Sequence, residues 1–466
     1  MKTLSAFCLS ACALGVYAPL AFAQATGATP APSTARPVTT IEDAVALALR
    51  ESPLLKAATA TRNAAAARVG IARAETRPTL SANAFVSGGT LPNIVQSPSL
   101  PVPTMIMGLP RGGYADQNLM LMYPLYTGGR LTAMIRQAEA MRDTSEAERA
   151  AKRQEVALLV RVAYHETLAR RAVAAAARAV VTESEERLRA DRARGEQGRI
   201  PAYFVDQDEA DLAAARQTVT DAERDAELSL AALKTAMGLS VSAPLELGET
   251  TTAPLLAALV SEMTAGKSVA PDAAPEVVVQ ALWSRAQKER PELWAQASRV
   301  ASARSGERAA GAQYRPQVNA FVMGDALRGA GQTGTTGVTY GLAASVPLLD
   351  GGSGRARKDE ARAMREEQEA EESRTRLAIE QEVNEAYRRA TTAEQNVATA
   401  TAALTSAKAA YKAADARYQA GRSVLSELLG VSAQRIRAET ELLRALLERD
   451  VTQDQLRRAV GVLLPR

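Results

Sequence analysis

Few side chains in this sequence are of a type and spacing that do covalent or metal chemistry. His165, the single histidine in 466 residues, lies inside a long helical run, where a surface or packing role is expected of it. The two cysteines, Cys8 and Cys12, fall within MKTLSAFCLSACALGVYAPLAFA, which combines Lys2, an apolar middle and small residues at Ala21 and Ala23. That is the pattern of a secretory signal peptide over residues 1–23, and its removal leaves no thiolate, disulfide or cysteine metal site. Leu9-Ser10-Ala11-Cys12 also resembles a lipoprotein cleavage box, but only a very short apolar run precedes it, so cleavage after Ala23 is the default. No metal-ligand cluster, phosphate loop or nucleophile elbow appears, and the glycine pairs are too short for a dinucleotide fingerprint. The reading is a protein that is not an enzyme and uses no cofactor or metal.

The elements must therefore carry the function. Lys and Arg number 56 against 52 Asp and Glu, a net +4, with the signs alternating along helical stretches. This is a solvated helical surface and gives no support to nucleic-acid binding. Aromatic residues are only 4%, and much of the apolar content is Ala, the usage of long, closely packed helices. No later run approaches the ~20 apolar residues of a transmembrane helix. An exported chain of this kind is periplasmic, secreted, or inserted in an outer membrane through strands.

The chain is a duplication. YPLYTGGRL, with Pro124, Gly128 and Gly129, recurs as VPLLDGGSGR, with Pro347, Gly351 and Gly352, at an offset of 223. The same offset pairs Met141 with Met364, Tyr164 with Tyr387, Arg194 with Arg417, Gly198 with Gly421 and Gly238 with Gly461. Upstream, Glu51, Pro53, Arg77 and Pro78 match Glu289, Pro291, Arg315 and Pro316 at an offset of 238. The repeats span residues 24–238 and 277–466, with a Pro-, Thr- and Ala-rich connector at 239–276.

In the second repeat a small or apolar seam runs through Ile379, Val383, Ala386, Ala390, Ala393, Val397, Ala400, Leu404, Ala407, Tyr411, Ala414 and Tyr418. Its steps alternate four and three, the repeat of a left-handed coiled coil. A partial stripe with Ala402, Ala403 and Ala413 suits a helix flanked on two sides; the first-repeat seam is interrupted by Arg170 and Asp191. From Leu131 to Arg194 there is no proline, and about 65 helical residues span roughly 100 Å. Each repeat therefore holds a long helical hairpin. Its tip lies near 195–201 in the first repeat, with Pro201 in the first turn of the returning helix, and near Gly421 in the second.

Before each junction lie strand-like segments, LSANAFV at 80–86 and VNAFV at 318–322, with one aliphatic face. Their partners are placed at 116–125 and 338–348, giving hairpins over about 79–125 and 316–348, with solvent loops at 87–115 and 324–337. Four strands close no barrel, and open edges are not viable in lipid. The chain must share a barrel, as a dimer of eight strands or a trimer of twelve. Tyr114, Tyr123, Tyr126 and Tyr340 fall near strand ends, as interface aromatics or as ordinary sheet-edge packing.

The repeated junctions, the tip ARYQAGRSVLSELL at 416–429 and the order of parts resemble the TolC-type outer-membrane efflux proteins over essentially the whole mature chain. The resemblance implies a mainly α fold with a small β part. In it, duplicated long helical hairpins form a trimeric α-barrel joined to a 12-stranded transmembrane β-barrel, four strands per protomer. It implies an exit duct of a tripartite efflux pump or type I secretion system in the outer membrane of a Gram-negative bacterium. Its partners would be two further copies, a periplasmic adaptor, an inner-membrane transporter and outer-membrane lipid. The alternative is a periplasmic coiled-coil structural or adaptor protein without a pore.

The resemblance also marks the tips as a periplasmic gate, with Tyr418, Gly421, Arg422 and Glu427 in the second repeat and Gly198, Phe204 and Asp206 in the first. Three copies of Glu427 would line the constriction as a carboxylate ring, or each is a solvated acid at a helix start. Ser423 stands where the family often has Arg, Gly430 where it often has an acid, and Phe204 is not acidic. These departures leave the link between the tips to other contacts.

Overall fold

The computed structural model describes residues 40–87, 95–96, 105–106, 114–248, 254–264, 274–329, 334–420 and 422–464. The signal segment with its two cysteines, and Gly421, lie outside the described residues. The first repeat runs α1 (Ile41–Glu51), α2 (Pro53–Ala74), β1 (Thr79–Ser87), β2 (Val95–Gln96), β3 (Met105–Ile106), β4 (Tyr114–Tyr126), α3 (Arg130–Glu196) and α4 (Ala202–Ala236). After the short α5 (Leu256–Met263), the second runs α6 (Pro275–Glu289), α7 (Pro291–Ala312), β5 (Gln317–Gly329), β6 (Thr335–Ser345), α8 (Ser353–Gln419) and α9 (Leu425–Val460).

Both long helices, α3 and α8, have 67 residues, and their ends keep the 223 offset. Each starts after a glycine at φ +88°, and no proline interrupts either one. The return helices end on Gly238 and Gly461, also at positive φ, and each glycine packs on the break between its repeat's first two helices. A Cβ on Gly461 would stand 2.9 Å from the Glu289 carbonyl carbon, so a side chain there is excluded twice over, by sterics and by backbone.

Two apolar cores hold the hairpins. One joins Val45 and Ala48 of α1 to Val160 and Tyr164 of α3 and Leu233 of α4; the other joins Leu282 and Trp283 of α6 to Val383 of α8 and Leu456 of α9. Each fully buried aliphatic side chain contributes about 1.5–3 kcal/mol. The expected connector is partly structured, since Leu259, Val260 and Met263 of α5 belong to the second core. Along α8 none of the twelve seam residues is exposed, whereas Ala402, Ala403 and Ala413 are. On α3 the seam position Asp191 is buried and Arg170 is exposed.

The strands form one antiparallel sheet, β1-β4-β5-β6, plus a separate β2–β3 pair inside the stretch expected to be a loop. The expected loop at 324–337 is also largely strand: β5 runs on to Gly329 and β6 starts at Thr335. Gly324 and Gly337 read as breakers, but both sit in the ladder with open space beside them, where a missing side chain costs little. Because β6 is displaced towards its start, Tyr340 is mid-strand rather than at a strand end, and Pro347 lies beyond the sheet. Pro124 remains inside β4, at a register shift against β5 between Pro124 and Tyr126.

Candidate functional site: junctions, tips and the two faces of the sheet

The sheet has unlike faces. Register places Leu80, Leu121, Val322 and Tyr340 in one row across all four strands, and Ala82, Leu119, Gly324 and Val338 in the next row of that face. Leu80, Leu119, Val338, Tyr340 and Leu342 are each more than half exposed. The opposite face carries Ser81, Asn83, Asn118, Asp325 and Thr339, together with Met120, Met122, Phe321 and Met323. Asn83 donates to Asn118 at 2.9 Å. On β4 the alternation was masked in the sequence because Met120 and Met122 occupy the second face. β1 and β6, the outer strands, pair on one side only within the described chain.

Both junctions use the expected glycines, all at positive φ: Gly128 +63° and Gly129 +88°, Gly351 +65° and Gly352 +88°. In the first, Arg315 Nη1 donates to the Gly128 carbonyl at 3.0 Å, and a Cβ on Gly128 would collide with the Arg315 side chain. Thr127 Oγ1 accepts from the Leu131 amide at 3.4 Å. In the second, Asp350 takes the place of Thr127 and accepts from the Gly352 and Gly354 amides at 3.0 and 2.7 Å, from Ser353 Oγ, and from Tyr314 Oη. The Tyr314 phenol, then the Gly354 amide, hold the Asp350 carboxyl down at about 2.

The tips close alike. Arg199 N donates to Arg194 O at 2.9 Å and Arg422 N to Arg417 O at 2.8 Å, positions again 223 apart. Gly198 has φ +68° and open space around it; Phe204 stacks on Tyr203 with ring centroids 4.5 Å apart, and Asp206 is exposed. Pro201 caps α4 from outside its first turn, with an extended ψ of 147°.

Their side chains are then cross-linked. Tyr418 Oη donates to Asp191 Oδ2 at 2.6 Å, bridging α8 to α3, and Arg194 Nη1 donates to Asp191 Oδ1 at 2.9 Å while its guanidinium lies 5.5 Å over the Tyr418 ring. Asp208 of α4 is fully buried beside them, held by Arg187 Nε at 2.9 Å, with Oδ2 lacking any partner among the described residues. Burial pushes the Asp208 carboxyl up to about 6 against the pull of Arg187. Burial and the Asp191 bond likewise raise the Tyr418 phenol. Farther from the tip, Glu183 of α3 accepts from Tyr411 and from Arg435, so two links join the repeats.

Glu427 is different. It is exposed in the first turn of α9, accepts from Ser423 Oγ at 2.7 Å and pairs with Arg417 at 3.1 Å; Arg422 is exposed. An exposed pair of this kind contributes about 0–1 kcal/mol. Sequence reasoning selected Tyr418 but not Asp191, Arg194, Arg187 or Asp208 as its surroundings. The available signal was Asp191 on an otherwise apolar seam, since a charge there demands partners. His165 is buried, 3.2 Å from Asp454, which also accepts from Arg161 and Arg457: a packed ion-pair cluster. Among the described residues there is no metal-ligand group, and no helix is long and apolar enough to cross a membrane.

The described chain thus consists of long paired helical hairpins joined by glycine bends to a four-stranded sheet with one exposed apolar face. The chain is similar to the outer membrane protein VceC of Vibrio cholerae, with TM-score 0.72 and 19% identity over 90% of this chain and 96% of that one. It is similar also to the outer membrane channel CmeC of Campylobacter jejuni, with TM-score 0.73 and 18% identity over 91% and 86%. The open-state MtrE outer membrane channel of Neisseria gonorrhoeae gives TM-score 0.70 and 19% identity over 91% and 89%. No curated protein sequence matches the chain. The outer membrane efflux protein profile matches residues 44–239 and 282–462, both repeats, and the chain belongs to that family.

Proposed function

We propose that this protein is the outer-membrane exit duct of a tripartite efflux pump or a type I secretion system, passively conducting substrates from the periplasm to the exterior. The observation that carries the reading is the sheet: strands of 9 to 13 residues, the length that crosses a bilayer at a tilt, with one exposed apolar face. Two half-paired outer strands cannot remain open in lipid, so further copies complete the ladder. Three chains give twelve strands and a trimer, and the helical hairpins continue the passage through the periplasm. The exposed alanines of α8 then face a neighbouring protomer.

The tips, with Tyr418, Gly421, Arg422, Glu427, Gly198, Phe204 and Asp206, frame the periplasmic entrance and meet an adaptor fed by an inner-membrane transporter. Conductance after reconstitution into proteoliposomes tests the reading: discrete channels are expected, and their absence would leave a coiled-coil protein without a pore.

A further inference from the structure

Among the described residues, the strands hold three charged side chains, Asp116, Asp325 and Arg328. Register assigns each to a face. Asn83, Asn118, Asp325 and Gly337 stand opposite one another across β1, β4, β5 and β6, and Asp116 lies two residues from Asn118 on the same face. Arg328 pairs with Ala115 and falls on the other face. Residues of all four strands at this level, Asp325 among them, bound a cavity of about 810 Å³. The face bearing both acids is the more crowded: Asn118 and Met120 on that face are buried, while Leu119 and Leu121 between and beyond them are exposed. Asp116 and Asp325 form no ion pair with any described residue, in contrast to Glu427, Asp191 and Asp208 at the tips, each of which has an arginine.

We propose that Asp116 and Asp325 set the charge selectivity of the duct within the membrane, making its lumen prefer cations over anions of similar size. The proposal rests on the duct reading, in which the more crowded face, with Asn118 and Met120 buried, lines the lumen. Each protomer then contributes two carboxylates that form no ion pair among the described residues, and a trimer six, in one girdle. Diagonal neighbours on adjacent strands lie roughly 7–8 Å apart, comparable with the screening length of about 8 Å at physiological salt. Their fields therefore overlap in dilute salt and separate at 1 M, where the screening length is about 3 Å. Acidic rings of this kind favour cations. The tip carboxylate Glu427, neutralised by Arg417, contributes little selectivity.

The test is the reversal potential of the purified protein in planar bilayers under a KCl gradient, measured in wild type and in Asp191→Ala, which removes the Tyr418–Asp191 link between the tips. Cation preference is expected in dilute salt, with collapse towards neutrality near 1 M. Asp116→Asn combined with Asp325→Asn should lower the cation-to-anion permeability ratio several-fold, Asp116→Lys combined with Asp325→Lys should reverse the sign of the reversal potential, and Glu427→Ala should leave it unchanged. A conducting pore in which the double asparagine variant keeps the wild-type potential overturns the proposal and leaves the duct reading intact. No conductance in either wild type or Asp191→Ala overturns both.

Discussion

The two strand-to-helix junctions share a backbone and differ in what fills it. Gly128–Gly129 and Gly351–Gly352 adopt nearly equal positive φ angles, yet the first is closed by Arg315 reaching from the turn after α7, and the second by Asp350 with its own following amides and Tyr314. The first junction thus ties the repeats together across the sheet, whereas the second is mostly self-contained. The tips show a parallel contrast. The first-repeat acids Asp191 and Asp208 are buried and held by arginines, while Glu427 in the second repeat is an exposed pair. Duplication supplied the bends twice; the polar groups that stabilise them were placed separately in each copy.

This comparison can be broken most easily at the glycines. An L-residue in the left-handed region costs about 1–2 kcal/mol, so Gly351→Ala should lower stability by roughly that amount. Gly128→Ala adds a collision with Arg315 and should cost clearly more, seen in the urea midpoint of the assembled protein and in its yield. Equal losses would show that the Arg315 closure contributes nothing.

At the tips, Asp191→Ala leaves Arg194 without its carboxylate and Tyr418 without its acceptor. A loss of about 1–3 kcal/mol of local stability is expected, because buried groups are left unpaired. Hydrogen exchange should quicken around 187–208 and 411–420, with a rise in channel conductance. Glu427→Ala should change either by much less, as an exposed pair predicts.

Acidity sharpens the contrast further, with opposite signs for two carboxyls. Asp208 is raised from 3.8 to about 6, so the folded tip holds a proton that the unfolded chain has released. Its contribution is complete below 3.8 and is lost as pH rises through 6. Protection from exchange at the tip, taken relative to the intrinsic rate at each pH, should therefore be greater at pH 5 than at pH 7, and Asp208→Asn should flatten that dependence. Asp350 is lowered to about 2, so its contribution is present above 3.8 and lost as pH falls towards 2. Asp350→Asn should weaken the second junction mainly above pH 4, a smaller effect visible as a flatter acid-unfolding curve.

Much of this architecture was legible because it is periodic or repeated. Equal helix lengths follow from the 223 offset, and the α8 seam from its alternating steps. Strand limits were less legible, since Gly324 and Gly337 read as loop while lying in the ladder, and Met120 and Met122 hid the alternation of β4. The tip cluster was half visible. Tyr418 and Asp191 each stand on a seam, but their bond joins residues 227 apart in sequence, which no local pattern encodes. The pair Asp116 and Asp325 became recognisable only when register placed both on one face of the sheet.

The most direct test of the central claim is where the mature protein resides and at what native mass, by membrane fractionation followed by mass analysis in mild detergent. The duct account predicts an outer-membrane trimer. A soluble periplasmic monomer or dimer would contradict it, because the apolar sheet face and the half-paired outer strands would then need another explanation.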